Sequence, residues 1–152
     1  MKKYLQKKLN NEKGMTLIEL LAVIVIIAII AAIAIPAIGN IITNSKVTAL
    51  QADGQNILSA ASIYFTENPV AENASVNISV IKEAGYIEDT GKITKTAAGV
   101  VVGSVKFVKT GNTINAISKD GGTEVKFENA TNNDISGAST DAIATGPVQV
   151  TR

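Results

Sequence analysis

Glu19 is the one ionisable side chain between Met15 and Ser45, and it sits near the start of a long apolar run. A carboxylate inside such a run can accept hydrogen bonds, bind a cation or neutralise one, and each use needs a partner. No lysine or arginine occurs from Met15 to Ser45 to supply it. Histidine and cysteine are absent from the whole chain, which rules out a Ser-His-Asp triad, a Cys-His dyad, a His-rich zinc site and any disulfide. Chemistry with carboxylates or lysines alone remains open. The partner that fits Glu19 is an amine created by cutting the chain after Gly14. The α-amino group of Met15 would then lie about one helical turn from Glu19 on its own chain, and within reach of Glu19 on a staggered neighbour.

The element that must position these groups runs from Met15 to Ile38, where only Thr16 and Glu19 are polar. As a helix this stretch is about 36 Å long at ~1.5 Å per residue, enough to cross a hydrocarbon core of about 30 Å. A helix apolar on every side does not fit the surface of a water-soluble domain. Residues 1–14 precede it as a basic leader, with Lys2, Lys3, Lys7, Lys8 and Lys13 against Glu12. The rest of the chain holds nine basic and twelve acidic residues. Positive charge stays on the cytoplasmic side, so the expected orientation is N-terminus in and C-terminal head out. Two plainer readings compete: a secretory signal cut near Pro36-Ala37-Ile38-Gly39, and an uncleaved signal anchor. Both leave Glu19 without a role. At the middle of a membrane helix a carboxylate costs roughly 2.5–3.5 kcal/mol on insertion scales, so its presence points to function.

The string Lys13-Gly14-Met15-Thr16-Leu17-Ile18-Glu19, followed by an Ile/Val/Leu/Ala run, resembles the processing motif of type IV pilins and pseudopilins. The resemblance covers about the first forty residues. It implies that a dedicated peptidase cuts after Gly14 at the cytoplasmic face and methylates Met15. It implies too that Glu19 neutralises the terminal amine of an adjacent subunit during filament assembly, and that Pro36 kinks the helix. Three departures stand out. Met15 takes the place of the family's more common phenylalanine. The helix-breaking glycine that many pilins carry in the apolar run is missing, and Ala28 and its neighbours continue the helix. No cysteine pair closes a C-terminal loop.

Beyond Pro36 an amphipathic continuation is expected over 39–66. Val47, Leu50, Gly54, Ile57, Leu58, Ala61, Tyr64 and Phe65 recur at three- and four-residue steps, with Asn44, Lys46, Gln51, Asp53 and Gln55 mostly off that stripe. Glu67-Asn68-Pro69 ends the helix, because a residue before proline is pushed out of the α region. Residues 67–99 read as a connection holding one short helix between Ser75 and Gly85. From 100 to 128 the period changes to two. Strands are expected over Val100–Lys109, Thr113–Ser118 and Thr123–Glu128, with a hairpin at Lys119-Asp120-Gly121-Gly122 and Val105, Phe107, Val125 and Phe127 on inner faces. The fold expected is therefore α+β, a long N-terminal helix packed on a small antiparallel meander of three strands, as in pilins. The tail, 129–152, is polar, reads mostly as loop, and has room for one edge strand at Val148 and Val150.

Weaker signals are outweighed by plainer ones. Asp120, Glu124, Asp134 and Asp141 match no calcium-loop spacing. The lysines at 92, 95, 106, 109, 119 and 126 differ in strand parity and form no obvious stripe, so DNA binding is unsupported. Glycosylation acceptor triplets begin at Asn73, Asn77 and Asn129. No cofactor and no catalytic residue are expected. The reading that results is a pilin, a structural subunit made as a single-pass membrane precursor and polymerised through its N-terminal helix. Its alternatives are a competence or type II secretion pseudopilin and, from another class, a signal-anchored binding protein that never polymerises. The partners implied are further copies of the chain in a helical filament, minor pilins, a prepilin peptidase and methyltransferase, an inner-membrane assembly platform with its ATPase, and membrane lipid before assembly. Adhesion, twitching motility, competence or secretion are the processes such a filament serves.

Overall fold

The computed structural model describes residues 16–98, 101–140 and 146–152. The elements in order are α1 (Leu17–Glu67), β1 (Ser75–Asn77), α2 (Ile78–Glu83), β2 (Gly103–Lys106), β3 (Thr113–Asp120), β4 (Thr123–Ala130), α3 (Asn132–Gly137) and β5 (Val148–Thr151). The chain divides into two compact units, residues 1–40 and 41–152.

The described part of the first unit is the opening of α1. Isoleucine and valine are indifferent helix formers in water, since β-branching restricts their side chains. In hydrocarbon, however, a helix is the way for a single segment to satisfy its own backbone. α1 continues through Pro36, which brings no N–H to the ladder.

The second unit is built on the rest of α1. Val47, Leu50, Gln51, Gly54, Ile57, Leu58, Ala60, Ala61 and Phe65 are its buried residues, and they pack with the inner face of a five-stranded sheet. The strands lie in sequence order and every neighbouring pair is antiparallel. Alternation sets the faces: Val105 on β2, Ile114, Ala116 and Ser118 on β3, Val125 and Phe127 on β4, and Val148 and Val150 on β5 are all buried. The hairpin after Asp120 is the two-residue Gly121-Gly122 connection, with positive φ at Gly121 alone, the pattern of a II′ turn. A bulge between Ile114 and Ala116 sets Asn129 at positive φ. There Asn115 Oδ1 accepts from the Asn129 amide at 2.9 Å and its Nδ2 donates to Asn129 Oδ1 at 3.1 Å.

The α+β architecture and the three expected strands are present, the first running only over Gly103–Lys106 rather than Val100–Lys109, with Phe107 beyond its end and Val100 outside the described residues, and there are three further corrections. The sheet has five strands, because Ser75–Asn77 also pairs, with Val76 opposite Val105, and Val148–Thr151 forms the edge strand for which the tail has room at Val148 and Val150. The tail is not all loop: Asn132–Gly137 is helical, started by Thr131 and pinned by buried Ile135. Gln51 lies on the buried stripe rather than off it. The connection folds more tightly than a loop would. Thr94 donates to the Ile117 carbonyl and Lys119 to the Lys92 carbonyl, so 92–94 extends the β3 ladder, and Lys95 bridges Val101.

Candidate functional site

Glu19 lies in the first turn of α1, and its carboxylate turns back on the residue before the helix. Glu19 Oε2 accepts from the Thr16 amide at 2.7 Å and from the Thr16 hydroxyl at 2.9 Å. The Glu19 amide in turn donates to Thr16 Oγ1 at 3.3 Å. This is a capping box, in which a threonine and an acid three residues on satisfy each other's backbone amides. The signal Thr-x-x-Glu stands in the sequence immediately before the apolar run, and the reading of Glu19 as an acid awaiting a cation passed over it. Gly14 and Met15 lie outside the described residues, so the amine proposed for Glu19 has no described geometry. Pro36 sits within α1.

The apolar surface around this acid is uncovered. The most apolar 18-residue window of α1 has a mean hydropathy of 3.2, and none of it is buried among the described residues. A core helix of a soluble domain would instead be covered by its own fold. Fourteen large apolar side chains from Leu17 to Ile38 are exposed, Leu17 at 82% and Ile33 at 73% among them, and Ile41 and Ile42 extend the stripe. Burying each is worth about 1.5–3 kcal/mol, so the stretch as a whole represents on the order of 20 kcal/mol. A surface of this size fits a helix that lipid or protein covers.

The head carries a second group that sequence reasoning missed. Half-buried Asp53 on α1 accepts from the Lys92 amide at 2.8 Å and from the Ser118 hydroxyl at 3.1 Å, both through Oδ2. The loop before Lys92 comes so close that a Cβ at Gly91 would stand 2.0 Å from Asp53 Oδ1, and Gly91 has φ +60°. Only glycine suits that place. No pattern in the sequence links these residues, because they are 39 and 65 positions apart. The arrangement ties the connection and the sheet to the helix.

Some of the remaining acids and lysines are paired. Asp120 faces Lys46 at 3.9 Å and Lys92 at 3.7 Å, and Glu124 faces Lys119 at 3.6 Å. Asp134 caps α3: its Oδ2 accepts from the Thr131 amide at 2.8 Å and hydroxyl at 2.7 Å, which holds its carboxyl below the usual range. Asp141 lies outside the described residues. Among the described residues no group of three or more His, Cys, Asp or Glu is arranged to hold a metal ion. Lys106, Lys119 and Lys126 do share the solvent face of the sheet, contrary to the parity expected, but Lys126 pairs with Glu128 as Lys119 does with Glu124. That face is mixed in charge, unlike a nucleic-acid footprint. Tyr86 donates to Glu67 Oε2 at 2.5 Å and stacks edge-on against Tyr64, and the bond to Glu67 pushes its phenol up. A groove of about 330 Å³ between Ser59, Ser62, Asn112 and Asn132 is lined without an ionisable side chain.

Comparison with known proteins bears on the N-terminal segment. The family model described as the prokaryotic N-terminal methylation motif matches residues 9–35. The match includes Gly14, Met15, Thr16 and Glu19 and ends one residue before Pro36. No curated protein and no solved structure matches the chain.

Proposed function

We propose that the chain is a precursor of the type IV pilin and pseudopilin kind and, within it, a structural subunit of a type IV pilus, a reading that the match of residues 9–35 to the N-terminal methylation motif supports. The precursor enters the membrane with its leader in the cytoplasm and its head outside. It is cut after Gly14, methylated on Met15, and held by the apolar helix until an assembly machine extracts it. Copies then pack through that helix, and Pro36 bends it. The observation that carries this reading is the coincidence of the motif with an apolar stretch of α1 that the described residues do not bury. Lipid covers that surface before assembly and neighbouring helices cover it afterwards. Alanines at 28, 31, 32 and 34 permit close approach between helices. Glu19 then sets the register, since an acid left unpaired in an apolar bundle is costly and only staggers that meet an amine avoid the cost.

Filaments sheared from the cell surface test the proposal. The chain is expected in them, and deleting it should abolish them. Its absence from sheared filaments, together with a defect in DNA uptake or protein secretion on deletion, would replace the pilin reading by that of a pseudopilin.

A further inference from the structure

Two adjoining hollows open on the head beside the last turns of α1. The first, of about 330 Å³, lies between Ser59 and Ser62 on α1, Thr110 and Asn112 in the loop from β2 to β3, and Asn132 and Asn133 on α3. The second, of about 470 Å³, shares Ser62, Gly111 and Asn112 with the first and adds Phe65, Phe107 and Lys109. Both are large enough for a small ligand, which takes about 300–1,000 Å³. The walls are held in place from within. Asn112 Oδ1 accepts from the Val108 amide at 3.3 Å and closes the loop, while its Nδ2 donates to Ser62 Oγ at 3.2 Å and ties that loop to α1. Gly111 takes φ +142°, which suits glycine, and the space over it is open. The described tail runs away from this place. Ser136 meets Gln55, and Thr140 and Asn44 both meet Arg152, so Thr140 lies about 22 Å down α1 from Ser59 at ~1.5 Å per residue.

The chemistry of the walls selects a ligand. Ser59 donates to the Gln55 carbonyl at 2.9 Å, Ser62 to the Leu58 carbonyl at 2.9 Å and Thr66 to the Ser62 carbonyl at 2.8 Å. With their hydrogens spent on the helix, these hydroxyl oxygens meet a ligand as acceptors. The carboxamides across from them both donate and accept. Among the described residues no ionisable side chain lines the first hollow, so a charged ligand would leave water there without a counter-charge. A ligand built of hydroxyl groups suits both walls, because each hydroxyl gives a hydrogen to one and takes one from the other. The second hollow adds an apolar face. Half-buried Phe107 stands there against buried Phe65, with ring centroids 5.3 Å apart. A sugar ring has hydroxyl edges and C–H faces at once. We propose that the two hollows form a binding site for a neutral saccharide. Such a site is independent of the filament reading, since all its residues lie in the head. A free sugar and a residue of a glycan chain offer it the same groups.

The full chain, isotope-labelled and held in micelles of a detergent without a sugar headgroup, is titrated with maltose, cellobiose, lactose and N,N′-diacetylchitobiose while its amide resonances are followed. At least one sugar is expected to give saturable shifts confined to Ser59, Ser62, residues 110–112 and residues 132–133. Glucose 6-phosphate and glucuronic acid carry a charge on the same kind of ring and should bind about tenfold more weakly. Ser59→Ala removes one acceptor and favours the helix, and should weaken binding about fivefold. Ser59→Tyr fills the first hollow and should abolish it. Thr48→Ala removes a similar back-bonded hydroxyl elsewhere on α1 and should change nothing. The amide spectrum of each variant reports in the same experiment that the head is folded. No saturable shift with any of the four neutral sugars overturns the proposal. So do shifts that persist in Ser59→Tyr, an equal loss in Thr48→Ala, or equal binding of the charged sugars. Sedimentation with insoluble chitin or cellulose, inhibited by the matching disaccharide, assigns the site to a glycan chain; binding in solution without sedimentation assigns it to a free sugar.

Discussion

Gly54 faces the Phe127 ring across the contact between helix and sheet, and substituting it sets two opposed effects against each other. In an exposed helix glycine to alanine gains about 1 kcal/mol. Here a Cβ would stand 2.8 Å from Phe127 Cζ and 3.1 and 3.2 Å from the two Cε atoms. Carbon atoms pack best at about 3.5–4.0 Å, so the ring would have to retreat by about 0.7 Å or more. Phe127 is 1% exposed, and its strand is paired on both sides by β3 and β5, which leaves it little room. Overpacking of this kind costs about 1–3 kcal/mol, and after the gain in propensity Gly54→Ala should destabilise the head by about 1 kcal/mol. Gly54→Val adds a branch at the same place and should cost more. Denaturant unfolding of the full chain in detergent micelles, followed by head circular dichroism, measures this. A cycle with Phe127→Leu isolates the contact: the pair should couple by about 1 kcal/mol, because the smaller side chain makes room. Stabilisation by Gly54→Ala, with strict additivity in the cycle, would refute the close contact.

Three further outcomes follow from the same geometry. Asp53→Ala leaves the Lys92 amide and the Ser118 hydroxyl without their acceptor and should cost about 1–3 kcal/mol, with faster hydrogen exchange at Lys92 as the local sign; unchanged exchange there would contradict the anchor. The Asp134 carboxyl is held low by Thr131, so its contribution is present above the ordinary carboxylate range and is lost as pH falls through its own lowered value. Its carbon shift should therefore titrate below that of an exposed aspartate, and in Thr131→Ala the midpoint should move up. The Asp120 ion pairs are exposed, and Asp120→Asn should change stability by less than about 1 kcal/mol.

What the sequence made legible was whatever repeats over enough residues to show a period. The apolar run, the stripe from Val47 to Phe65 and the alternation in β3 and β4 each extend over two turns or several pleats. The strand Ser75–Asn77 has three residues and one apolar side chain, so no alternation could mark it; pairing of Val76 with Val105 makes it. The helix Asn132–Gly137 buries only Ile135, and its signal was the capping pair Thr131 and Asp134 rather than a periodic face. The same signal at Thr16 and Glu19 was outweighed by the apolar residues that follow. The polarity of Gln51 points to the outer face, yet it stands four residues from Val47 and the helix turns it inward. Among the described residues its Nε2 has no hydrogen-bond partner. The Asp53 anchor depends on contacts across the whole head, and no local pattern announces it.

The central claim is that Gly14 is the residue before a cut, and that Met15 becomes the amine that Glu19 meets. Intact mass of the mature chain, taken from the membrane pool or from filaments, tests it in one measurement. The account predicts a species that begins at Met15 and is heavier by one methyl group. A mature chain that begins at Met1 or at Ala37 would contradict it.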